Sequence, residues 1–179
     1  MVEGLEINQK AAPIVQRLAD ETGLYVRLAI PKEDSVLIVL LGYSGGPTIS
    51  LHQIGPALPM YPTSQGKAML SHLTTSAIED YLNRTELKPY THKTITDPKR
   101  LLSNLLSSKK RGYSISNEEL RIGRVGLGAV VLKGNGDMVG AISISGEKNH
   151  VLGKQKNWLA EKLLTAAGEI SNQMGYRIT

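Results

Sequence analysis

A chain of 179 residues has the length of one domain with a real hydrophobic core, and the complete lack of Cys removes disulfides, thiol nucleophiles and Cys-based zinc sites. Phe is also absent and there is one Trp, so the core must come mainly from Leu, Ile, Val and Ala with some of the seven Tyr, and stacking platforms for single-stranded nucleic acid are lacking. The net charge of +5 favours anionic partners but is spread along the chain without forming a dense basic arm.

From Ile7 to Glu21 the apolar residues Ile7, Ala11, Ile14, Val15 and Leu18 recur at helical spacing and Gly23 supplies a stop, which predicts an amphipathic helix that Pro13 kinks or restarts. Leu24 to Ile30 and Ser35 to Tyr43 are β-rich and predict a hairpin around Pro31-Lys32-Glu33-Asp34. The Gly- and Pro-dense stretch 44–63 predicts a loop, or a broken edge strand around Ile49 to Gln53. Ser64 to Leu73 and Thr75 to Asn83 predict two short helices, the second capped by Ser76 or Thr75. Asp97-Pro98 is an N-cap followed by Pro at the first helical position, opening a helix through Arg111 that Gly112 ends.

Strands return at Tyr113 to Ser116, Gly126 to Lys133 and Met138 to Ser145, the last two joined by the turn Gly134-Asn135-Gly136-Asp137. A helical segment from about Leu152 to Met174 closes the chain, with Leu159, Leu163, Leu164, Ala167, Ile170 and Met174 on one face. Strands in hairpin pairs separated by helices predict an α+β domain, with a mainly antiparallel sheet and helices packed on its faces. Met1 is followed by no basic segment leading into an apolar one, and the longest apolar run, Val36 to Leu41, is far short of the ~20 residues that span a bilayer. The expectation is a cytoplasmic protein with no membrane partner.

The run Tyr61 to Leu70, "YPTSQGKAML", raises the question of a phosphate-binding loop. Such a loop needs Gly five residues before its Gly-Lys pair and Ser or Thr after it; Tyr61 and Ala68 occupy those places, so nucleotide hydrolysis is set aside. Two readings remain: free N–H groups at the helix start that bind a carboxylate or phosphate, or Ser64 or Thr63 serving only as an N-cap. In "AISISG", Ser143 and Ser145 share one strand face, with Ile142 and Ile144 on the other; they are either donors to a small polar ligand or a solvent-facing stripe.

Glu118 and Glu119 lack the second carboxylate that glycosidase chemistry requires and read as solvated loop residues. His52, His72, His92 and His150 have neither i, i+4 pairing nor clustered acids nearby, so no metal or cofactor is expected. There is no G-x-S-x-G elbow and no triad spacing, and no catalytic residue is assigned.

Three segments in order, "LPMYPTSQGKAML", "YTHKTITDPKRLLSNLLSSKKRGYSISNEELRIG" and "GAVVLKGNGDMVGAISISG", resemble the C-terminal effector-binding domain of IclR-type bacterial transcription regulators, over about Ala11 to Gly175. The resemblance implies a GAF-like (profilin-like) fold with a curved antiparallel sheet, self-association into a homodimer or homotetramer, and a pocket for a small anionic metabolite. Carried over residue by residue, the effector-binding positions fall on Ser64, Gln65 and Gly66, on Ser116 and Asn117, on Gly126, and on Ser143 and Ser145.

The chain departs from members that bind small 2-oxo acids, which have small residues where the long, polar Gln65 stands, and often an acidic residue at Ser116 and a Cys at Gly126. A pocket enlarged at Gly126 is therefore expected, suited to a sugar acid or an aromatic carboxylate as well as to glyoxylate or pyruvate. The family's winged helix-turn-helix matches no part of these residues, which predicts one effector-binding domain over residues 1–179 and DNA contact only through an N-terminal domain. A pure oligomerisation module and a small hydrolase or transferase are the alternative classes.

Overall fold

The computed structural model describes residues 2–51 and 55–177. His52 and the far end of the edge strand expected toward Gln53 lie outside them. Helix α1 (Val2–Thr22) leads into a hairpin of β1 (Tyr25–Lys32) and β2 (Ser35–Gly42), followed by the short β3 (Ile49–Ser50) and β4 (Ala57–Pro59). Three helices come next, α2 (Ser64–His72), α3 (Thr75–Arg84) and α4 (Pro98–Arg111). The chain then forms β5 (Ser114–Asn117), β6 (Arg124–Leu132) and β7 (Met138–Glu147), and ends in α5 (Lys148–Val151) and α6 (Lys156–Gln173).

All strand pairs are antiparallel, in the order β3-β2-β1-β7-β6-β5 with β4 also paired to β2. The centre of the sheet is thus the junction of β1 with β7, where Val26 pairs with Ile144 and Leu28 with Ile142. Period-2 alternation gives the sheet two apolar faces. Val26, Leu28, Leu127, Ile142 and Ile144 pack beneath α1 and α6, while Ala29, Val36, Ile38 and Ala141 pack beneath α2 to α4. The result is an α+β domain of three layers, helices on both sides of one sheet.

Several local expectations shift. Pro13 sits inside an unbroken α1. Thr74, not Ser76 or Thr75, caps α3: its extended ψ of 155° leaves its hydroxyl free to accept from the Ala77 N–H at 3.2 Å. The terminal helical segment divides into α5 and α6, because the chain turns so tightly at Gly153 that a Cβ there would lie 2.2 Å from the Asn149 carbonyl oxygen. Helix α4 runs between the foreseen ends, with the Asp97 carboxylate accepting from Arg100 N–H at 2.8 Å and Gly112 left-handed at φ 90°.

Candidate functional site

The face of the sheet under α2 carries two cross-strand rows of small and polar residues. Arg27 on β1 stands opposite Ser143 on β7, which stands opposite Gly128 on β6, which stands opposite Ser114 on β5. The next row reads Tyr25, Ser145, Gly126, Ser116. The two glycines let the first turn of α2 descend onto the strands: a Cβ at Gly128 would lie 2.3 Å from the Ser64 carbonyl oxygen, and one at Gly126 would lie 2.6 Å from Ser64 Oγ. The flanking serines then pin it, Ser114 donating to the Ser64 carbonyl at 2.5 Å and Ser116 to the Pro62 carbonyl at 2.6 Å.

Thr63 caps α2, its Oγ1 accepting from Gly66 N–H at 3.2 Å and lying 3.0 and 3.1 Å from the carbonyls of Pro59 and Met60. The Lys67 N–H turns back to the Thr63 carbonyl. By helix geometry the N–H groups of Ser64 and Gln65 have no intrahelical acceptor, and the positive end of the helix dipole adds to them. The two readings of "TSQG" are therefore compatible, since the cap uses Thr63 and leaves the next two donors for an anion.

Beside this helix start lies a cavity of about 490 Å³, walled by the 56–65 segment, β1, β5, β6, β7 and the loop around Leu120 and Arg121. Ser64, Gln65, Ser116, Gly126 and Ser145 line it; Gly66, Asn117 and Ser143 do not. Gly66 abuts the Met60 backbone, where its Cβ would come within 2.2 Å of a carbonyl oxygen, so its place is a packing requirement of the turn. Asn117 alternates to the other side of β5 from Ser116, and its N–H donates to Glu119 at 3.0 Å. Ser143 is fully buried beneath α2 and its Oγ has no hydrogen-bond partner among the described residues.

The expected enlargement at Gly126 is also corrected, since the space left by its missing side chain is taken by Ser64. Among the lining residues that sequence reasoning passed over are Tyr25, Arg27, Arg121 and Arg124, with Ile38, Leu58 and Leu120 giving apolar wall. Arg27 donates to Ser145 Oγ at 2.6 Å. The signal was present in β1, where Tyr25 and Arg27 alternate with buried Val26 and Leu28.

Glu118 and Glu119, read as solvated, are both buried. Lys67 is wholly enclosed, with Nζ 2.6 Å and 2.7 Å from the two Glu119 carboxylate oxygens and 3.2 Å from the Ile115 carbonyl it donates to. Burial pushes the Lys67 ammonium down and the Glu119 carboxyl up from their ordinary ranges, each partly offset by the attraction of the other. Glu118 has left-handed backbone at φ 56°, an uncommon conformation outside Gly. Its carboxylate is held down to about 2 by hydrogen bonds from Lys93 and from Gly123 N–H at 2.9 Å. Thr91 and Thr94 donate to the Glu118 and Glu119 carbonyls at 2.7 and 2.6 Å, so the 91–94 turn clasps the loop that leads into the cavity wall.

The domain is thus a sheet with helices on both faces and a polar cavity beside a helix N-terminus. Residues 1–172 match the family of the bacterial transcriptional regulator IclR C-terminal domain, and the chain belongs to that family. It is 30% identical to the HTH-type transcriptional regulator KipR of Bacillus subtilis over 98% of this chain and 70% of that protein. It is 30% identical to the transcriptional repressor IclR of Escherichia coli over 91% of this chain and 60% of that protein, so it spans less than two thirds of the repressor's length.

The inducer-binding domain of the PobR transcription factor from Acinetobacter, solved as a double mutant in complex with 3-hydroxybenzoic acid, superposes with a TM-score of 0.78 at 26% identity. The match covers 92% of this chain and 97% of that one. The fold is the GAF-like α+β fold of IclR C-terminal domains, and the relatives are transcription regulators, not enzymes. Among the described residues no cluster of three His, Asp or Glu side chains is placed to hold a metal ion, and no helix is long and apolar enough to cross a membrane.

Proposed function

We propose that this chain is the effector-binding and oligomerisation domain of an IclR-type transcription regulator, and that it senses a small organic acid to control DNA binding through an N-terminal domain of the full-length protein. The observation that carries the reading is the start of α2: two donors with no helical acceptor, fixed over the sheet by Ser114 and Ser116, opening onto a cavity of about 490 Å³. Ser64 and Gln65 hold the carboxylate from above, while Ser116, Gly126 and Ser145 form the floor. Gln65, with its long amide, sets which acid fits and points away from the smallest 2-oxo acids.

The effector acts by binding one arrangement of a dimer or tetramer better than another, because equal affinity for both would shift nothing. The aromatic acid bound by the PobR domain is a carboxylate of the size such a cavity accommodates. The test is thermal unfolding against a broad panel of sugar acids, 2-oxo acids and aromatic carboxylates. A ligand at 100 times its Kd stabilises by about 2.7 kcal/mol, which raises Tm by roughly 5–10 °C for a domain of this size. A flat response across the whole panel would leave the domain as an assembly module without a ligand.

A further inference from the structure

We infer that the ligand of this cavity is an organic dianion, one anionic group held at the N-terminus of α2 and a second between Arg27 and Arg124. The inference rests on the reading of the cavity as an effector site. Three arginines, Arg27, Arg121 and Arg124, line the cavity and, among the described residues, no Asp or Glu does. The guanidinium carbons of Arg27 and Arg124 lie 5.6 and 5.7 Å from the centroid of the Tyr25 ring.

Arg27 is half-buried, and burial followed by the charge of Arg124 holds it below the usual arginine range. Its polar contact is the neutral hydroxyl of Ser145. Glu147 faces Arg124 across the β6–β7 ladder, but it is exposed and forms no ion pair with Arg124 among the described residues. By contrast, Arg17 pairs with Glu169 and Glu21, and Arg84 with Asp34.

Arg124 is exposed, but Arg27 is partly desolvated with that like charge nearby, which is unfavourable unless a counter-charge completes it. A monoanion at the start of α2 leaves the pair uncompensated. A ligand with a second carboxylate, or with a phosphate, satisfies both ends, and the planar forks of two arginines suit either oxyanion. Ile38 and Leu58 in the same lining accommodate an apolar or lightly substituted stem.

The experiment is isothermal titration of the wild-type domain and of Arg124→Gln with matched pairs: glutarate against valerate, adipate against hexanoate, and 3-phosphoglycerate against glycerate. At least one dianion binds about tenfold or more tightly than its monoanionic partner, the effect of one charge-assisted hydrogen bond. Arg124→Gln removes that advantage, lowering dianion affinity more than monoanion affinity. Which pair shows the preference separates dicarboxylates from phosphorylated acids.

Monoanions that bind saturably with no dianion advantage overturn the inference and leave the sensing reading standing. Failure of every probe to bind overturns the inference, while the sensing reading is decided by the broader panel in thermal unfolding. A second readout needs no ligand: relieved of the repulsion, Arg124→Gln unfolds at the same or a higher temperature than wild type. A lower melting temperature would make Arg124 a structural residue and overturn the inference independently.

Discussion

Gly126 and Gly128 are two residues apart on one strand, yet they meet different parts of Ser64. At Gly128 a methyl group would strike the Ser64 carbonyl oxygen at 2.3 Å, a backbone atom fixed by its helix; at Gly126 it would meet a rotatable hydroxyl at 2.6 Å. Gly128→Ala should therefore cost the roughly 1–3 kcal/mol of an overpacked core, and Gly126→Ala less, which urea unfolding of the two variants measures directly. Ser143 makes the opposite case. Its buried hydroxyl has no partner among the described residues, so Ser143→Ala removes an unmet desolvation cost, and the urea midpoint should stay level or rise. The sequence pattern was enough to place Ser143 and Ser145 on one face. It could not separate them, because what does so is α2, which lies over Ser143 and leaves Ser145 at the cavity.

At the level of elements, α2 is locked to the loop after β5 by the enclosed Lys67–Glu119 pair. Removing one partner strands a buried charge, so Lys67→Met should cost about 3–5 kcal/mol, while the double variant Lys67→Met with Glu119→Leu should regain most of it; chemical unfolding of the three proteins closes the cycle. The neighbouring Glu118 gives this loop an acid dependence. Its folded-state pKa is depressed to about 2, so its contribution is complete above the ordinary glutamate value near 4.5 and is lost as pH falls from there toward 2. Unfolding followed across that window should lose this portion of its pH dependence in Glu118→Gln. Helix α4 was legible from end to end because Asp97, Pro98 and Gly112 act on their own backbone. The Lys67–Glu119 contact spans 52 residues and left no local trace. Paired Glu118-Glu119 in a polar loop looked like solvated residues, and only the approach of α2 to β5 encloses Glu119 with Lys67.

Across the whole molecule, the layered architecture followed from apolar periodicity, since each strand of the hairpins carries two distinct faces. The sequence did not disclose where the arginine-lined wall of the cavity would form, because Tyr25 and Arg27 reach it from the first strand, Arg121 from the loop before β6 and Arg124 from the start of β6. Helices α1 and α6 are also joined across their solvent side by Arg17–Glu169 and Lys162–Glu21. These pairs are exposed, and Arg17→Ala should change stability by under about 1 kcal/mol in urea titration, the apolar seam between the helices supplying the rest. The pairing of β1 with β7 has a temporal meaning. Arg27 and Ser145 meet although 118 residues separate them, so the middle of the sheet joins a strand made early to one made late. Until the ribosome has released β7, the first hairpin has an open edge where its permanent neighbour belongs, and closing so long a loop is slow. Nascent chains arrested before Glu147 should thus remain protease-sensitive throughout, with resistance gained in one step once the last strand emerges.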